Sequence, residues 1–271
     1  SAQSEYKYTQ TFKIPDHYEE LRLFYEIYKN DLEHHFIQYN NWGGYPEVSL
    51  EKNIDKKTIY LKEIIKTYIE KDVAQFFKIG NTTQFNNLIK LLCYQKGQLL
   101  NKSELSNTLD LHHKTLSSYL NILEGTFIIT RLKPFYTNIR KEISRMPKLF
   151  INDPGIIRYF MRSDFSDFAS IDGNLVENFA FTHLKLQCPE LFYYRTISRA
   201  EIDFIAQYDN SLIPIEVKFR KRASIPVALK NFISNYKNRI KYGLMLTQNI
   251  MDRKDNIYFL PVTLLDFIHL G

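Results

Sequence analysis

The sequence predicts an α/β protein in which a helical N-terminal part precedes an α/β sandwich. Apolar residues recur at helical spacing through much of residues 17–124. Residues 201–218 instead alternate apolar and charged side chains on both sides of a turn, which is typical of a β-hairpin. Short apolar runs at 242–247 and 257–261 then indicate buried strands. We therefore place the sandwich in residues 151–271.

The first 84 residues are predicted to form a helical connector region. Residues 17–40 have leucine, isoleucine and aromatic side chains at roughly helical spacing, and residues 57–78 repeat this pattern. Between them, residues 41–47 contain two glycines and a proline, which favour a turn.

Residues 85–150 are predicted to be three helices followed by two strands. The helices cover residues 86–95, 103–109 and 113–124, and the strands cover residues 127–130 and 148–151. Ser103 is the expected N-cap of the second helix, and Gly125 is the expected C-cap of the third. The order resembles a winged helix-turn-helix, whose third helix would face a DNA groove.

Several polar and basic residues are candidate DNA contacts, because DNA phosphates attract Lys and Arg. Positive charge is concentrated in residues 131–148, with a net charge of +5, and in residues 216–241, with +7. The candidates are His113, Lys114, Ser117, Arg140, Lys141, Arg145, Lys148, Arg220, Lys221 and Arg222. The alternative is a protein-binding winged helix, since one Lys among small polar residues is a weak DNA signal.

The overall composition is that of a folded chain: 271 residues, 44% hydrophobic, with a net charge of +6. No apolar run is long enough to span a bilayer, and the N-terminus lacks a signal-peptide pattern, so we expect a cytoplasmic protein without a membrane partner. Cys93 and Cys188 are far apart in sequence and predict neither a disulfide nor a zinc site.

The hairpin carries four charged residues placed symmetrically about an Asp209-Asn210 turn. A two-residue loop puts Tyr208 opposite Ser211, and counting outward gives the pairs Asp203 with Glu216 and Glu201 with Lys218. All four charges then share one face. The expected core face consists of Ile202, Phe204, Ile215, Val217 and Phe219.

Two facing carboxylates repel each other unless a cation lies between them, so Asp203 and Glu216 are candidate ligands of Mg²⁺ or Mn²⁺. Lys218 lies two residues from Glu216 and is a candidate for orienting water or stabilising phosphate charge. The alternative is a solvated face on which Lys218 pairs with Glu201.

At Asp203, Glu216 and Lys218 the chain resembles the PD-(D/E)xK nuclease superfamily, although Ile202 stands where a proline often precedes the aspartate. Glu177, near the start of a helix that begins at Gly173, matches the helix carboxylate of that superfamily. The resemblance implies a restriction-endonuclease-like fold. It also implies a metal site formed by Glu177, Asp203 and Glu216, with Asp203, Glu216 and Lys218 catalytic.

Over most of its length the chain resembles the C-terminal half of a prokaryotic AAA-type ATPase family. The matching segments are Gly43 to Glu47, the predicted winged helix, Pro147 to Gly155, Glu177-Asn178, Tyr194-Arg195 and the hairpin. The chain has no Gly-Lys-Ser or Gly-Lys-Thr P-loop, so the resemblance implies an ATPase domain upstream in the native protein.

Two hypotheses follow for function. The first is a DNA-binding, nuclease-like module that cleaves phosphodiester bonds with Mg²⁺ or Mn²⁺. The second is a catalytically silent adapter that couples DNA or a protein to the upstream ATPase. A simple winged-helix transcription factor would leave the charged hairpin unexplained. The oligomeric state and the DNA preference stay open.

Overall fold

The chain folds into two units in a computed structural model that describes residues 10–136, 146–162 and 167–271. The helical unit comprises the described residues of Ile37–Leu132 and Ser144–Asn178. The sheet unit comprises those of Ser1–Phe36, Lys133–Ile143 and Phe179–Gly271. The structure therefore assigns residues 10–36 and residues 179–271 to the same unit.

Helices account for most of the regular structure before residue 190. The described helices are α1 Tyr18–Trp42, α2 Pro46–Ser49, α3 Ile54–Ile65, a π-helical segment Lys66–Val73, α4 Ala74–Phe76, α5 Thr82–Tyr94, α6 Lys102–Leu109, α7 His113–Gly125, α8 Pro154–Met161, α9 Gly173–Gln187 and α10 Val227–Asn235. Short 3₁₀ helices cover Phe168–Ser170 and Val262–Phe267. None of the described helices is both long and apolar enough to cross a membrane.

The strands form one large sheet and two small ones. They are β1 Phe12–Lys13, β2 Ile129–Leu132, β3 Lys148–Ile151, β4 Glu190–Arg195, β5 Glu201–Tyr208, β6 Ser211–Lys218, β7 Gly243–Thr247, β8 Asp252–Lys254, β9 Ile257–Pro261 and β10 Ile268–His269. The described chain is thus a mixed α and β protein, as the sequence predicted.

In the helical unit, α5, α6 and α7 are followed by the antiparallel pair β2 and β3, in which Ile129 lies opposite Ile151. The sequence predicted this order of elements, but it misplaced two helix ends. Asn101, not Ser103, caps α6, because its side chain accepts hydrogen bonds from the backbone of Ser103 and Glu104. The C-cap of α7 is Thr126, which follows the expected glycine.

Asp153 connects two parts of the helical unit through its carboxylate. One oxygen accepts a hydrogen bond from the Gly155 amide at 2.7 Å, which caps α8, and the other accepts from the Gly44 amide at 2.8 Å. Gly43 has a φ of +75°, and a Cβ there would lie 2.0 Å from Asp153 Oδ1. The glycine pair therefore lets the backbone approach this half-buried carboxylate closely. Asp153 therefore has a structural role in this unit.

A buried polar contact holds the start of α9 to β3, also within the helical unit. Asn178 has no exposed surface, donates to the Ile151 carbonyl and accepts from the Ile151 amide, both at 2.9 Å. Beside it, the Lys148 ammonium lies 2.8 Å from Glu177 Oε1, and Lys148 is only 3% exposed. Gly97, with a φ of +76°, leaves room for the Glu177 carboxylate.

The sheet unit is built on six strands in the order β4-β5-β6-β7-β9-β8. Strands β4, β5 and β6 are antiparallel neighbours, whereas β6, β7 and β9 run parallel. One apolar cluster joins the sheet to α10 through Met245, Leu229 and Phe232. Phe204 instead contacts Phe181 of α9, with ring centroids 6.5 Å apart. Helices therefore cover the sheet on both faces, as expected for an α/β sandwich.

Candidate functional site

The candidate site lies at one edge of the six-stranded sheet, where the parallel strands β6, β7 and β9 end. Because β5 is antiparallel to β6, the start of β5 and the end of β4 lie at this same edge. In open α/β sheets, ligands commonly bind outside the carboxyl ends of the strands. The topology thus brings Asp203, Glu216 and Lys218 to a common location for a binding site.

Near its turn, the hairpin has the register that the sequence predicted. Tyr208 lies opposite Ser211, and the pairing continues as far as Phe204 opposite Ile215. The ladder ends there, before the predicted pairs Asp203 with Glu216 and Glu201 with Lys218. Asp209 has a φ of +52°, the left-handed conformation that a tight two-residue loop requires. Local turn chemistry therefore fixes which residues of the two strands face each other.

A β-bulge changes how β5 presents its side chains at the site. Phe192 pairs with Ile205 and Tyr194 pairs with Ile202, so two residues of β5, Asp203 and Phe204, lie opposite one residue of β4. Ile202 and Ile205 consequently pack in the same apolar cluster. The predicted single core face containing both Ile202 and Phe204 is therefore wrong.

The bulge also gives Asp203 a hydrogen bond across to the next strand. Its Oδ2 accepts from the backbone amide of Val217 at 2.9 Å, immediately beside Glu216. The Asp203 carboxylate is close enough to Glu216 to raise the pKa of that residue. The two carboxylates that the sequence paired are thus neighbours in the structure.

Glu216 is the most perturbed acid of the site. It is 3% exposed, and its Oε1 lies 2.5 Å from the Lys218 ammonium. Its Oε2 is buried and has no hydrogen-bond partner in the described part of the chain. Burial, reinforced by the charge of Asp203, raises the pKa of Glu216 to about 7, although Lys218 and a hydrogen bond from the Asp203 backbone amide oppose the shift. A carboxylate with one unsatisfied buried oxygen is suited to bind a cation.

The solvated-face alternative predicted an ion pair between Lys218 and Glu201, but each of these residues pairs with a different partner. Lys218 pairs with Glu216, two residues along the same strand, and its side chain is about 38% exposed. Glu201 pairs with Arg195 at 3.3 Å, across the antiparallel pair of β4 and β5. The site therefore presents a partly exposed ammonium beside a buried carboxylate, which is an arrangement able to meet an anionic substrate and a cation.

Sequence reasoning did not predict the ion pair between Arg195 and Glu201, and it also missed the bulge. The ion pair depends on β4 lying next to β5, with Arg195 opposite Glu201. An Arg six residues before the first acid of the hairpin was the available signal. The bulge has no comparable signature, because it depends on how two strands pair.

The candidate metal ligand Glu177 belongs to the helical unit, where Lys148 binds its carboxylate. Across residues 10–136, 146–162 and 167–271, no group of three or more His, Cys, Asp or Glu side chains is arranged to hold a metal ion. Two carboxylates nevertheless suffice for Mg²⁺, which usually keeps several waters and takes further oxygens from phosphate. Asp203 and Glu216 are such a donor set.

The predicted DNA contacts differ in accessibility. Exposed members are His113 and Lys114 at the start of α7, and Arg220, Lys221 and Arg222 after β6. Ser117 is half-buried, and Arg140, Lys141 and Arg145 lie outside the described residues. Lys148 needs a correction, because it is buried against Glu177 and a DNA phosphate does not reach its ammonium in this structure.

Comparisons with known proteins match two domains. Residues 33–168, half of the chain, match the model of a domain of unknown function (DUF8612), and residues 172–265 match a second domain of unknown function (DUF4143). These two matched segments cover most of both units.

The chain is also similar to longer proteins. An uncharacterized protein of Haemophilus influenzae is 27% identical over 230 residues, which are 82% of this chain and 56% of that protein. Uncharacterized proteins of Mycobacterium bovis and Mycobacterium tuberculosis are each 26% identical over 196 residues, 70% of this chain and 44% of theirs. The chain thus spans about half the length of the curated relatives it matches.

Among solved structures, protein VC1899 from Vibrio cholerae shares 12% sequence identity with a TM-score of 0.24, over 82% of this chain and 55% of that one. A score this low does not establish a common fold.

Proposed function

The chain belongs to the family of the domain of unknown function DUF8612, and we propose that its sheet unit is a nuclease-like module that binds Mg²⁺ or Mn²⁺ and cleaves DNA phosphodiester bonds. The proposal places the site at Asp203, Glu216 and Lys218. It treats the exposed basic residues of both units as contacts for the DNA backbone.

One observation carries this proposal: Glu216 is buried beside a second carboxylate and has an oxygen without a partner. Burying a carboxylate is costly unless its charge is compensated. Lys218 compensates one oxygen only. A divalent cation held by Asp203 and Glu216 would satisfy the second oxygen and reverse the repulsion between the two acids.

The bound cation would supply Lewis-acid stabilisation of charge on a phosphate oxygen. Asp203 and Glu216 would hold it, and the hydrogen bond from the Val217 amide fixes the Asp203 carboxylate in place. Lys218 is close to Glu216 yet partly exposed, so its ammonium can turn from that carboxylate toward a phosphate or an attacking water. The chain's own residues thus provide positioning and charge stabilisation, which are the main needs of phosphoryl chemistry.

DNA binding is proposed from the surfaces around the site and in the helical unit. Arg220, Lys221 and Arg222 are exposed in the segment that follows β6, at the same edge of the sheet as the site. In the helical unit, the succession of α5, α6, α7, β2 and β3 resembles a winged helix-turn-helix, with His113 and Lys114 exposed on the third helix. Both surfaces suit phosphate contacts rather than base readout.

A silent adapter coupled to an upstream ATPase is the second candidate. It is favoured by the ion pair between Lys218 and Glu216, because a lysine that is permanently paired is not available for chemistry. The domain DUF4143 is often found in AAA-ATPase-associated proteins, and the matched relatives are about twice as long as the aligned part. In this case the native partner would be an ATPase domain of the same protein.

A cleavage assay separates the two candidates. The purified chain is incubated with linear, branched and single-stranded DNA in the presence of Mn²⁺, and products are resolved on a denaturing gel. We expect the wild type to cleave DNA. Asp203→Asn and Lys218→Met should abolish cleavage, whereas Glu190→Gln, an exposed change on the outermost strand β4, should leave it intact. Absence of cleavage by the wild type, or equal cleavage by Asp203→Asn, would reject the nuclease and leave the adapter.

A further inference from the structure

The turn between β4 and β5, residues Thr196 to Ala200, is held rigid by its own hydrogen bonds. The Thr196 amide donates to the Ala200 carbonyl at 2.9 Å, and the Ala200 amide donates to the Thr196 hydroxyl at 3.0 Å. Arg199 has a φ of +65°, and its amide donates to the Thr196 carbonyl at 3.1 Å. These bonds fix the direction in which the turn projects its side chains.

The side chain projected at the tip of this turn is apolar. Ile197 is 92% exposed, the highest value among the large hydrophobic residues of the described chain. It is followed by Ser198 and Arg199, which are also exposed. A single exposed aliphatic residue is common on protein surfaces. Here, however, Ile197 is exposed on a turn that hydrogen bonds hold rigid, next to polar and basic residues. Some DNA-binding proteins insert apolar side chains between base steps as wedges.

The turn lies at the same sheet edge as the proposed catalytic site. Arg195 and Glu201, the residues on either side of the turn, are paired in the ladder and joined by an ion pair. Asp203 lies two residues after Glu201, which corresponds to about 7 Å along the strand. Successive nucleotides of one DNA strand are about 3.4 Å apart along the helix axis. Ile197 is therefore placed to touch bases a few steps from a phosphate bound at Asp203.

The other exposed groups at this edge suit the same kind of ligand. Arg220, Lys221 and Arg222 follow β6, and the first residue of α10, Val227, is 71% exposed. Cations next to exposed aliphatic side chains match a nucleic acid that offers both phosphates and accessible bases. A regular B-form duplex offers fewer accessible base faces than a mismatched or forked one.

We propose that Ile197 is a wedge that inserts beside an unstacked base, so that the site selects duplexes already weakened by a mismatch, a fork or a frayed end. This inference rests on the proposed function insofar as the ligand is DNA. Arg199 acts with it by binding a phosphate without regard to base pairing. The cost of unstacking a base is lowest where pairing is already disturbed, and this cost difference is the source of the selectivity.

The test measures binding without cleavage, in the Asp203→Asn background. Duplexes with and without a central mismatch carry 2-aminopurine, whose fluorescence rises when the base unstacks. We expect tighter binding to the mismatched duplex, and Ile197→Ser should lose about tenfold of that preference together with the fluorescence rise, since base contacts contribute on the order of 1–3 kcal/mol each. The matched control is Leu23→Ser, an exposed aliphatic on α1 of the same unit, which should change neither.

Arg199→Gln separates the wedge from general electrostatics. It should weaken binding to both duplexes equally and reduce the salt dependence by about one phosphate contact. The inference is overturned if Ile197→Ser keeps the mismatch preference, if the Asp203→Asn protein shows no preference, or if it does not bind DNA. A mismatch preference that depends on Ile197, in a protein that fails to cleave DNA with Mn²⁺, would support the wedge and reject only the catalytic proposal.

Discussion

Replacing Glu216 with glutamine should stabilise the protein at neutral and alkaline pH. In the folded state, burial and the charge of Asp203 raise the pKa of Glu216 from 4.5 to about 7. The folded protein therefore holds this proton more tightly than the unfolded chain does. The contribution of Glu216 to stability is greatest below pH 4.5 and is lost as the pH rises through the interval up to about 7, where the folded state gives the proton up.

The size of the effect follows from that interval. Each pKa unit corresponds to about 1.4 kcal/mol, so the ionised Glu216 side chain costs the folded state about 3 kcal/mol above neutral pH. Glutamine keeps the shape and removes the charge. The pKa of about 7 already includes the opposing attraction of Lys218, so the loss of that ion pair is not subtracted again. The expectation for Glu216→Gln is therefore a gain of about 3 kcal/mol near pH 8.

Urea unfolding at a series of pH values, without divalent cations, measures this difference. The gain should shrink as the pH falls and vanish or reverse below pH 4.5, where the wild-type carboxyl is already neutral. Glu190→Gln, an exposed change on the same sheet, should show no such trend. A Glu216→Gln protein that is less stable than the wild type at every pH would refute the reasoning, because the carboxylate would then be stabilising.

Three further changes test the fold and its charged surfaces. Lys148→Met removes the cation that lies 2.8 Å from the largely buried Glu177 carboxylate and should cost about 3 kcal/mol in urea unfolding, whereas Lys114→Met at an exposed position should stay within about 0.5 kcal/mol. Asn178→Leu removes the side-chain hydrogen bonds to the backbone amide and carbonyl of Ile151 and should cost about 2 kcal/mol or more in urea unfolding. A near-neutral value would contradict a stabilising role for these two hydrogen bonds. A triple substitution by glutamine at Arg220, Lys221 and Arg222 should reduce the salt dependence of DNA affinity by up to three phosphate contacts. An unchanged slope would exclude this surface as a DNA contact.

The hairpin register could be predicted because it depends on short-range chemistry. An Asp209-Asn210 pair favours a two-residue loop, and that loop determines which residues lie opposite each other. The helices α1, α5 and α7 were predictable for a similar reason, since apolar spacing is a local signal. Helix ends were less predictable: for α6, Asn101 and Ser103 are both good N-caps by residue type.

The details of the site could not be predicted because they depend on residues far apart in sequence. The bulge at Asp203 arises from pairing with β4, and no residue type within β5 signals it. Lys148 belongs to a basic stretch and therefore resembled a surface residue. Its burial depends on Glu177, which lies 29 residues further along the chain. The partnerless oxygen of Glu216 likewise becomes visible only when the sheet is assembled.

Titration calorimetry with Mn²⁺ tests the central claim most directly, because it measures cation binding at Asp203 and Glu216 without requiring DNA. Above pH 7, where Glu216 is ionised, we expect the wild type to bind Mn²⁺ at a site that Asp203→Asn and Glu216→Gln each abolish. Glu201→Gln, which alters the acid paired with Arg195, should retain binding. No binding by the wild type, or equal binding by Asp203→Asn, would contradict the account.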